Sequence, residues 1–407
     1  VAFNAREFWS VKAILATPRG QEFEARLTHL AGKKLERYDL ENATQAELAE
    51  QAINSRDLTI QSVEAKPGAR NPSPPFMTST LQQEASRKFG MGARQAMSTA
   101  QRLYEAGLIT YMRTDGIDMA PEAVTLTRDA ISARYGAEYV PDAPRVYKNK
   151  AKNAQEAHEA IRPTDITRKP DDLKKYVNAD QLKLYELIWK RTISSQMQSA
   201  ELDETSADIT SEDKTIAFRA NGSQVYFPGF FVYKDKENDK ILPNLIDGEK
   251  VDLEKVDSDQ HFTQPPPRYT DASLIKKMEE LGIGRPSTYA SILKVLVDRS
   301  YVEKEKGNHI PQERGRILTD FLKNYFGQYI QYDFTAELEK KLDSVSDGKL
   351  NYKILLKEFW DGFKIHLDKM SELERDKILE ALENELTDLF FPKEIENKEN
   401  SEPSRKC

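Results

Sequence analysis

Cysteine is almost absent from this chain, which has a single one, Cys407, among 407 residues. An internal disulfide is therefore impossible, and the composition fits the cytoplasm, where thiols stay reduced. One cysteine is also too few to build a cysteine-based zinc site. No apolar run approaches the roughly 20 residues that a membrane helix needs. The N-terminus also lacks the pattern of a signal peptide, and because it begins with valine we expect a fragment or a processed product.

A surplus of basic charge is missing as well. Lysine and arginine number 60 against 67 aspartates and glutamates, which gives a formal net charge of -7. Any contact with DNA must therefore come from local basic patches rather than from overall attraction. No Walker phosphate loop, Rossmann glycine fingerprint or His-Glu-x-x-His motif occurs, so nothing in the sequence favours a nucleotide-dependent or zinc enzyme.

One stretch, residues 108–115, places three reactive side chains at alternating positions. Its sequence is Leu-Ile-Thr-Tyr-Met-Arg-Thr-Asp, with Tyr111, Arg113 and Asp115 each two positions apart. In an extended strand side chains alternate between faces, so these three would share one face, together with Ile109. A phenol is a nucleophile, a guanidinium matches phosphate oxygens, and a carboxylate orients the guanidinium or moves a proton. The spacing suits phosphoryl transfer, although a half-buried tyrosine beside a surface salt bridge would give the same pattern.

The periodicity of the chain predicts a multidomain α+β protein. Strand-type alternation near both ends of the first 264 residues flanks a mostly helical block, so we expect one β-rich domain interrupted by a helical insertion. A stiff proline linker at 265–267 then precedes a helix, a tight loop, a second helix and a hairpin, which is the layout of a winged helix. The predicted boundaries are 1–70 with 198–264 for the β-rich domain, 71–197 for the helical domain with the tyrosine, 268–391 for a helical winged-helix-like domain, and 392–407 for a disordered tail.

Two further segments suit contacts with phosphate. The run Gly-Arg-Pro-Ser-Thr at 284–288 opens a predicted helix and would present backbone N–H groups, a hydroxyl and a guanidinium together. An ordinary capped helix start is the alternative. His158 and Arg162 lie four apart in a segment with helical character, so on a helix they would share a face and could contact a DNA backbone. The alternative is a structural histidine. Arg299 follows the second helix and is a further candidate for a backbone contact.

Four runs, in this order along the chain, closely resemble the type IA DNA topoisomerases of bacteria. They are Pro-Phe-Met-Thr-Ser-Thr-Leu-Gln-Gln-Glu-Ala-Ser from Pro75, Ala-Gln-Arg-Leu-Tyr-Glu-Ala-Gly-Leu-Ile-Thr-Tyr-Met-Arg-Thr-Asp from Ala100, Asn-Ala-Gln-Glu-Ala-His-Glu-Ala-Ile-Arg-Pro-Thr from Asn153, and Gly-Ile-Gly-Arg-Pro-Ser-Thr-Tyr-Ala-Ser-Ile from Gly282. The resemblance covers nearly the whole chain and thins out after about Phe391. Tyr111 falls on the catalytic tyrosine of that family.

The resemblance implies an ATP-independent enzyme that cuts single-stranded DNA through a 5′-phosphotyrosine link, passes the other strand through a gate, reseals, and so relaxes negative supercoils. It also implies a β arch that carries the tyrosine domain out and back. The matching histidine lies close to the active site, and the positions that match Arg285 and Thr288 contact DNA near the scissile phosphate. The predicted residues are Tyr111 and Arg113 for catalysis, Asp115, His158, Glu105 and Gln101 in support, and Arg285, Thr288, Arg299 and Arg162 for DNA binding.

The family also carries an acidic, Mg²⁺-binding Toprim domain ahead of this region and zinc modules after it. We find no counterpart of the Toprim domain here, so Mg²⁺ is expected on a part outside this chain and no metal site within it. Arg405-Lys406-Cys407 resembles the start of a zinc module. We expect a cytoplasmic monomer at the bacterial nucleoid that acts on single-stranded and negatively supercoiled DNA and not on membranes. The alternatives are a non-catalytic DNA-binding or scaffold module and a tyrosine recombinase, whose several basic catalytic residues are not seen here in the required order.

Overall fold

The computed structural model describes residues 3–148, 158–233 and 240–371, with 376, 378–380 and 382–383 beyond them. The whole predicted tail at 392–407, including Cys407, lies outside the described residues. In the described part of the chain no helix is both long and apolar enough to span a bilayer.

A seven-stranded antiparallel sheet forms the β-rich part of the structure. Strand order is β1-β7-β4-β5-β6-β2-β3, and β1 also pairs with β2, so six of the strands close into a ring. Alternation explains the core: Val11, Ala13 and Leu15 of β1 are buried, while intervening residues are more exposed. The strands are β1 (Glu7–Ala16), β2 (Glu22–Leu30), β3 (Lys33–Lys34), β4 (Leu58–Arg70), β5 (Ala200–Ser211), β6 (Ala217–Phe227) and β7 (Lys250–Phe262).

Helix α1 (Ala43–Asn54) packs against this sheet. The Asn42 side chain begins the helix by accepting a hydrogen bond from the Gln45 N–H at 3.0 Å. Ala49 and Ile53 are fully buried and join the core of the ring. The helix therefore closes one face of the sheet with its apolar stripe.

A helical block is inserted between β4 and β5, which pair along their whole lengths from Leu58–Ser211 to Arg70–Ala200. The chain thus leaves the sheet on one strand and returns on its neighbour, as the sequence predicts. A single apolar core that includes Leu81, Leu103 and Trp189 holds the block together. Its helices are α2 (Thr78–Phe89), α3 (Ala93–Glu105), α4 (Pro121–Tyr135), α5 (Pro170–Leu173) and α6 (Ala179–Ser195), with a short 3₁₀ turn at Ala137–Tyr139. A second 3₁₀ turn, Gly229–Tyr233, follows β6 and packs against the core of the block.

The C-terminal part has the predicted order of helix, loop, helix and hairpin, followed by three more helices. Thr270 caps the first helix, and Gly282, at φ 77°, ends it in the left-handed conformation that suits glycine. Rings of phenylalanine and tyrosine around Tyr329 hold the last three helices together. The elements are α7 (Asp271–Leu281), α8 (Tyr289–Asp298), β8 (Val302–Glu305), β9 (Asn308–Pro311), α9 (Glu313–Phe326), a 3₁₀ turn (Gly327–Ile330), α10 (Tyr332–Ser346) and α11 (Tyr352–Ser371).

The inserted block and the C-terminal part meet through two pairs of helices. Helix α7 packs on α2, and α8 packs on α3. Ala93 of α3 is buried with Ile275, Met278, Tyr289 and Leu293 in one small apolar cluster. This contact brings the loop between α7 and α8 to the tyrosine segment, which is how two distant parts of the sequence come to share one site.

Two local predictions are wrong. Residues 108–115 form no regular strand; the segment is irregular and makes only an isolated bridge between Ile109 and Pro163. The described end of the predicted helix, residues 158–163, is extended and bridges Phe76, Ile109 and Asp118 instead. Tertiary pairing with the tyrosine segment overrides the weak local preference for a helix.

Candidate active site

Threonine hydroxyls hold the tyrosine segment in place where a strand ladder would otherwise do so. The Thr78 hydroxyl, fully buried at the start of α2, donates to the Met112 carbonyl at 2.7 Å and accepts from the Thr114 N–H at 2.8 Å. On the other side, Thr110 donates to the Ala160 carbonyl at 2.7 Å. Since buried backbone polar groups must be paired, these hydroxyls, together with backbone bonds such as Thr110 N–H to the Arg162 carbonyl at 2.9 Å, fix the segment without a regular sheet.

Side chains in this segment still alternate between solvent and core. Tyr111 is 48% exposed and Arg113 is exposed, whereas Met112 between them is only 2% exposed. Ile109 does not share the tyrosine face as predicted, because it is 1% exposed and packs in the core of the helical block. The phenol and the guanidinium therefore face solvent from a backbone that is anchored beneath them.

Tyr104, on the last turn of α3, contacts the Tyr111 ring edge to face, with centroids 5.3 Å apart and planes at 69°. Such a contact orients the ring and leaves the hydroxyl uncovered. Gln101 and Glu105, predicted as supporting residues, instead bond to each other, with Nε2 to Oε1 at 2.7 Å. Neither lines the cleft at Tyr111.

A cleft of about 290 Å³ brings together residues from the tyrosine segment, from the extended segment at 158 and from the C-terminal part. The lining residues are Tyr111, Arg113, Asp115, His158, Arg285, Pro286, Ser287 and Asp343.

Asp115 accepts a hydrogen bond from Nδ1 of His158 at 3.0 Å. Because a carboxylate can only accept, this contact places the proton on Nδ1 and leaves Nε2 for a ligand in the cleft. The predicted contact between Asp115 and Arg113 does not occur: within the described ranges the Arg113 side chain has no hydrogen bond or ion pair. Arg113 therefore offers its whole guanidinium fork to the cleft.

Arg162 does not reach the cleft. Its Nε donates to Glu159 at 2.7 Å and its Nη1 to the Pro163 carbonyl at 2.9 Å, and the side chain is only 16% exposed. The prediction that it shares a helical face with His158 is wrong. In an extended segment, residues four apart are separated by about 13 Å rather than stacked on one face.

The loop at 284–288 forms the opposite wall of the cleft. Arg285 is held by two carboxylates of α10, with Nη2 at 2.7 Å from Asp343 Oδ2 and Nη1 paired with Glu339. Burial alone would lower the pKa of the Arg285 guanidinium, but these carboxylates outweigh burial and raise it. Thr288 caps the loop by accepting the Arg285 N–H at 2.8 Å. Arg285 therefore brings little net positive charge to the cleft.

Arg299 lies at the far end of α8 from this loop. A helix of that length spans about 15 Å, so its guanidinium is not a wall of the cleft. Pro286 and Ser287 belong to the predicted phosphate loop, whereas Asp343 is a lining residue that sequence reasoning missed. Glu339 and Asp343 lie four apart on α10, a pattern that indicates a shared helix face but not the arginine it pairs with.

A second, smaller cavity of about 30 Å³ adjoins the cleft and shares Asp115, Arg285 and Pro286 with it. This is enough space for about one water molecule. Glu279 of α7 lines the cavity and accepts a hydrogen bond from Gln83 of α2 at 3.4 Å. Burial raises the pKa of the Glu279 carboxyl above its ordinary value.

The raised pKa of Glu279 predicts a pH-dependent effect on stability. The folded state binds this proton more tightly than the unfolded state does, so stability falls as pH rises above the ordinary carboxyl pKa of about 4.3. Glu279→Gln should therefore match the parent chain near pH 4 and become more stable than it at pH 7 to 8. Urea unfolding across this range measures the difference. Glu280→Gln, on the next and exposed residue, is the control, and equal gains in both variants would contradict the assignment.

Gly116 is required by the close approach of the 158 segment. A Cβ at this position would lie 1.8 Å from the His158 carbonyl oxygen. Gly116→Ala is therefore expected to destabilise the fold by about 1–3 kcal/mol and to displace His158 from Asp115. Gly327→Ala, where a Cβ meets nothing within 4 Å, is the matched control and should be close to neutral. Denaturant midpoints give the comparison, and similar midpoints for both variants would contradict it.

Metal ligands are not gathered at this site. Among the residues with described positions, no three histidine, cysteine, aspartate or glutamate side chains lie close enough together to hold an ion.

Comparison with known proteins settles the family. The sequence model for the family described as DNA topoisomerase matches residues 1–357. This chain belongs to the bacterial DNA topoisomerase family. The resemblance seen in the sequence and the α+β fold class predicted from it, with an interrupted β arch and a winged-helix-like part, are both confirmed.

Individual relatives give the extent of the likeness. The chain is 44% identical to DNA topoisomerase 1 of Rickettsia felis, over 97% of this chain and 53% of that protein. It is 46% identical to DNA topoisomerase 1 of Zymomonas mobilis, over 100% of this chain and 34% of that protein. Full-length topoisomerase I from Thermotoga maritima is similar in structure, with a TM-score of 0.78 and 34% identity over 89% of this chain and 59% of that one. The chain thus spans about half the length of the Rickettsia relative, and less of the Zymomonas one.

Proposed function

We propose that this chain provides the DNA-cleaving tyrosine and the strand-binding cleft of a type IA DNA topoisomerase. The observation that carries the proposal is that an exposed phenol, Tyr111, shares one cleft with the uncommitted guanidinium of Arg113 and the oriented imidazole of His158. A nucleophile, a charge-stabilising fork and a group that can bind phosphate or move a proton are the components of phosphoryl transfer. Family membership points to the same chemistry.

The reaction is a transesterification. The Tyr111 oxygen attacks a phosphorus of single-stranded DNA, the bond from that oxygen to phosphorus forms, and the bond from phosphorus to the 3′ oxygen breaks. The 3′ oxygen leaves as a hydroxyl after taking up a proton, and the tyrosine keeps the 5′ phosphate. One phosphodiester replaces another, so the reverse reaction reseals the strand without ATP.

The residues of the cleft have different roles in this reaction. A free phenol has a pKa of about 10, so loss of the tyrosine proton must be assisted at neutral pH. Arg113 stabilises the charge on the non-bridging phosphate oxygens, and His158, oriented by Asp115, binds the phosphate or transfers the proton. On the opposite wall, Ser287 and the backbone of the 284–288 loop position the strand, while Arg285 and Thr288 hold that loop in shape through their internal hydrogen bonds.

Strand passage requires the two walls to separate. The helical block is attached to the sheet by β4 and β5 alone in sequence, so bending near these strands would carry Tyr111 away from the 284–288 loop. The contacts of α7 with α2 and of α8 with α3 would then form the closed gate. We propose that the complete enzyme acts as a cytoplasmic monomer on negatively supercoiled DNA, with Mg²⁺ bound outside this chain.

The polarity of the covalent link tests this function. A single-stranded oligonucleotide labelled at its 5′ or its 3′ end is mixed with the chain, alone and together with the part of the Rickettsia felis relative that the chain does not match. After denaturation, the 3′-labelled fragment should stay on the protein, because the tyrosine holds a 5′ phosphate. Retention of the 5′ label would instead indicate the polarity of a tyrosine recombinase.

A DNA-binding module without catalysis remains the rival function. It would retain the oligonucleotide on a native gel and yield no denaturation-resistant adduct in either mixture. That outcome would contradict the proposed cleavage and leave the winged-helix-like part as the only DNA-binding element.

A further inference from the structure

A buried carboxylate outside the cleft is left unexplained by the proposed chemistry. Asp271 is 6% exposed at the first turn of α7. Its Oδ1 accepts hydrogen bonds from Nε2 of His309 at 2.8 Å and from Nζ of Lys304 at 2.6 Å. Both donors belong to the β8–β9 hairpin of the same C-terminal part. A buried charge is tolerated when it is paired in this way.

The second oxygen of Asp271 makes a contact of a different kind. Oδ2 accepts the backbone N–H of Ala93, at the first position of α3, at 2.9 Å. The residue before Ala93 is Gly92, which has no side chain to cap the helix. The first N–H groups of a helix have no partner inside it, and an acidic oxygen is a favourable one. Helix α3 thus receives its cap from the other side of the gate.

The surrounding structure permits this contact and protects it. A Cβ on Gly92 would lie 3.3 Å from Asp271 Oδ2, so a larger residue at this position would crowd the carboxylate by a few tenths of an ångström. Ala93 itself is buried with Ile275 and Leu293, which excludes water from the bond. Burial alone would raise the pKa of Asp271, but hydrogen bonds from His309, Lys304 and Ala93 outweigh it and lower the pKa, so the cap is ionised.

We propose that Asp271 is a positioning residue that latches the closed gate by capping α3 across the interface. Helix α3 ends at Glu105, shortly before the segment that carries Tyr111, so this cap joins the wall of the gate with the nucleophile to the wall formed by the C-terminal part. Opening the gate removes the cap, leaves the Ala93 N–H without a protein partner and takes one donor from a buried carboxylate. The latch rests on the proposed function, because a gate matters only if a strand passes through it.

Hydrogen exchange of the backbone amides tests the latch without DNA. Asp271→Asn should speed exchange in the first turn of α3 about tenfold, which corresponds to loss of a good helix cap, and Asp271→Glu should restore much of the protection. Amides of β4 and β5 should be unchanged. Glu280→Gln, on the exposed side of the same helix, is the matched control and should have no effect.

A second variant distinguishes loss of the helix cap from general unfolding of the Asp271→Asn protein. Gly92→Ala crowds the carboxylate by a few tenths of an ångström while leaving Asp271, His309 and Lys304 intact, and should raise exchange of the same amides by a smaller factor. Unchanged exchange of the α3 amides in both variants would overturn the latch, whatever the DNA assays show.

DNA assays separate this inference from the proposed function. In a latched enzyme, Asp271→Asn should form the covalent adduct at the parent rate but reseal it several-fold more slowly, since the broken ends part more readily. If the parent protein forms no covalent adduct, the proposed function is contradicted, and the hydrogen-exchange result alone then tests the latch. Equal slowing of cleavage and resealing would overturn the latch.

Discussion

Replacing Tyr111 by phenylalanine should reduce the covalent DNA adduct below detection while leaving the fold intact. The substitution removes the attacking oxygen, and no other group in the cleft can replace it in the same position. The Tyr111 hydroxyl makes no hydrogen bond within the described part of the chain, and phenylalanine keeps the edge-to-face contact with Tyr104. The change in stability should therefore stay within about 0.5 kcal/mol. Adduct bands on denaturing gels and unfolding curves measure the two effects.

Tyr104 provides the matched control for this experiment. It is 40% exposed, it is a tyrosine, and it lies beside Tyr111 without lining the cleft. Tyr104→Phe should retain most of the adduct. An adduct that survives in Tyr111→Phe, or one that disappears in Tyr104→Phe alone, would move the nucleophile to another residue.

The sequence pattern predicted that Tyr111 and Arg113 share one face because it assumed a β-strand, and the structure has no strand at residues 108–115. Alternation of Tyr111, Met112 and Arg113 requires only an extended backbone, and a β ladder is one of several ways to obtain it. Here the hydroxyls of Thr78 and Thr110 add to scattered backbone bonds, such as that from the Thr110 N–H to the Arg162 carbonyl at 2.9 Å. Those partners lie 34 and 50 residues from the carbonyls that they bond, so no local pattern could reveal them.

For the segment at 158, both the predicted helix and the predicted side-chain pairing are wrong. Its alternating glutamates and alanines favour a helix locally, and spacing then pairs His158 with Arg162. The structure pairs His158 with Asp115 instead and turns Arg162 towards Glu159. Gly116 allows this pairing, because its lack of a side chain lets the backbone of the 158 segment pass against the tyrosine segment. A single glycine in the sequence does not, however, identify the segment that packs against it.

At the level of the fold, hydrophobic periodicity predicted which segments form the β-rich domain and which form the helical block. It did not predict that the sheet closes into a ring. Strand patterns on either side of a helical block predicted an interrupted β domain, which agrees with the observed pairing of β4 and β5. Closure of the ring through β1 and β2 depends on the twist and register of the whole sheet. The pairing of Arg285 with Asp343, 58 residues later, is likewise a product of tertiary packing.

Replacing Arg113 by alanine should slow adduct formation by about 10²–10³-fold, the usual effect of losing one group that stabilises charge in a transition state. The side chain is exposed and has no ion pair among the described residues, so its removal breaks no internal contact. Arg113→Lys keeps the charge but lacks the planar fork, and should recover only part of the rate. Single-turnover cleavage of a labelled oligonucleotide at saturating protein measures the chemical step apart from binding.

Arg299→Ala is the control for Arg113. It removes the same charge from an exposed position at the far end of α8, outside the cleft. If Arg299 contacts a phosphate away from the cleft, its removal should weaken DNA binding and reduce the salt dependence of that binding. The saturated cleavage rate should stay within about threefold of the parent value. If Arg299→Ala slows the saturated rate as much as Arg113→Ala does, the effect is one of overall charge. The guanidinium fork two positions after the tyrosine would then have no special part in the chemistry.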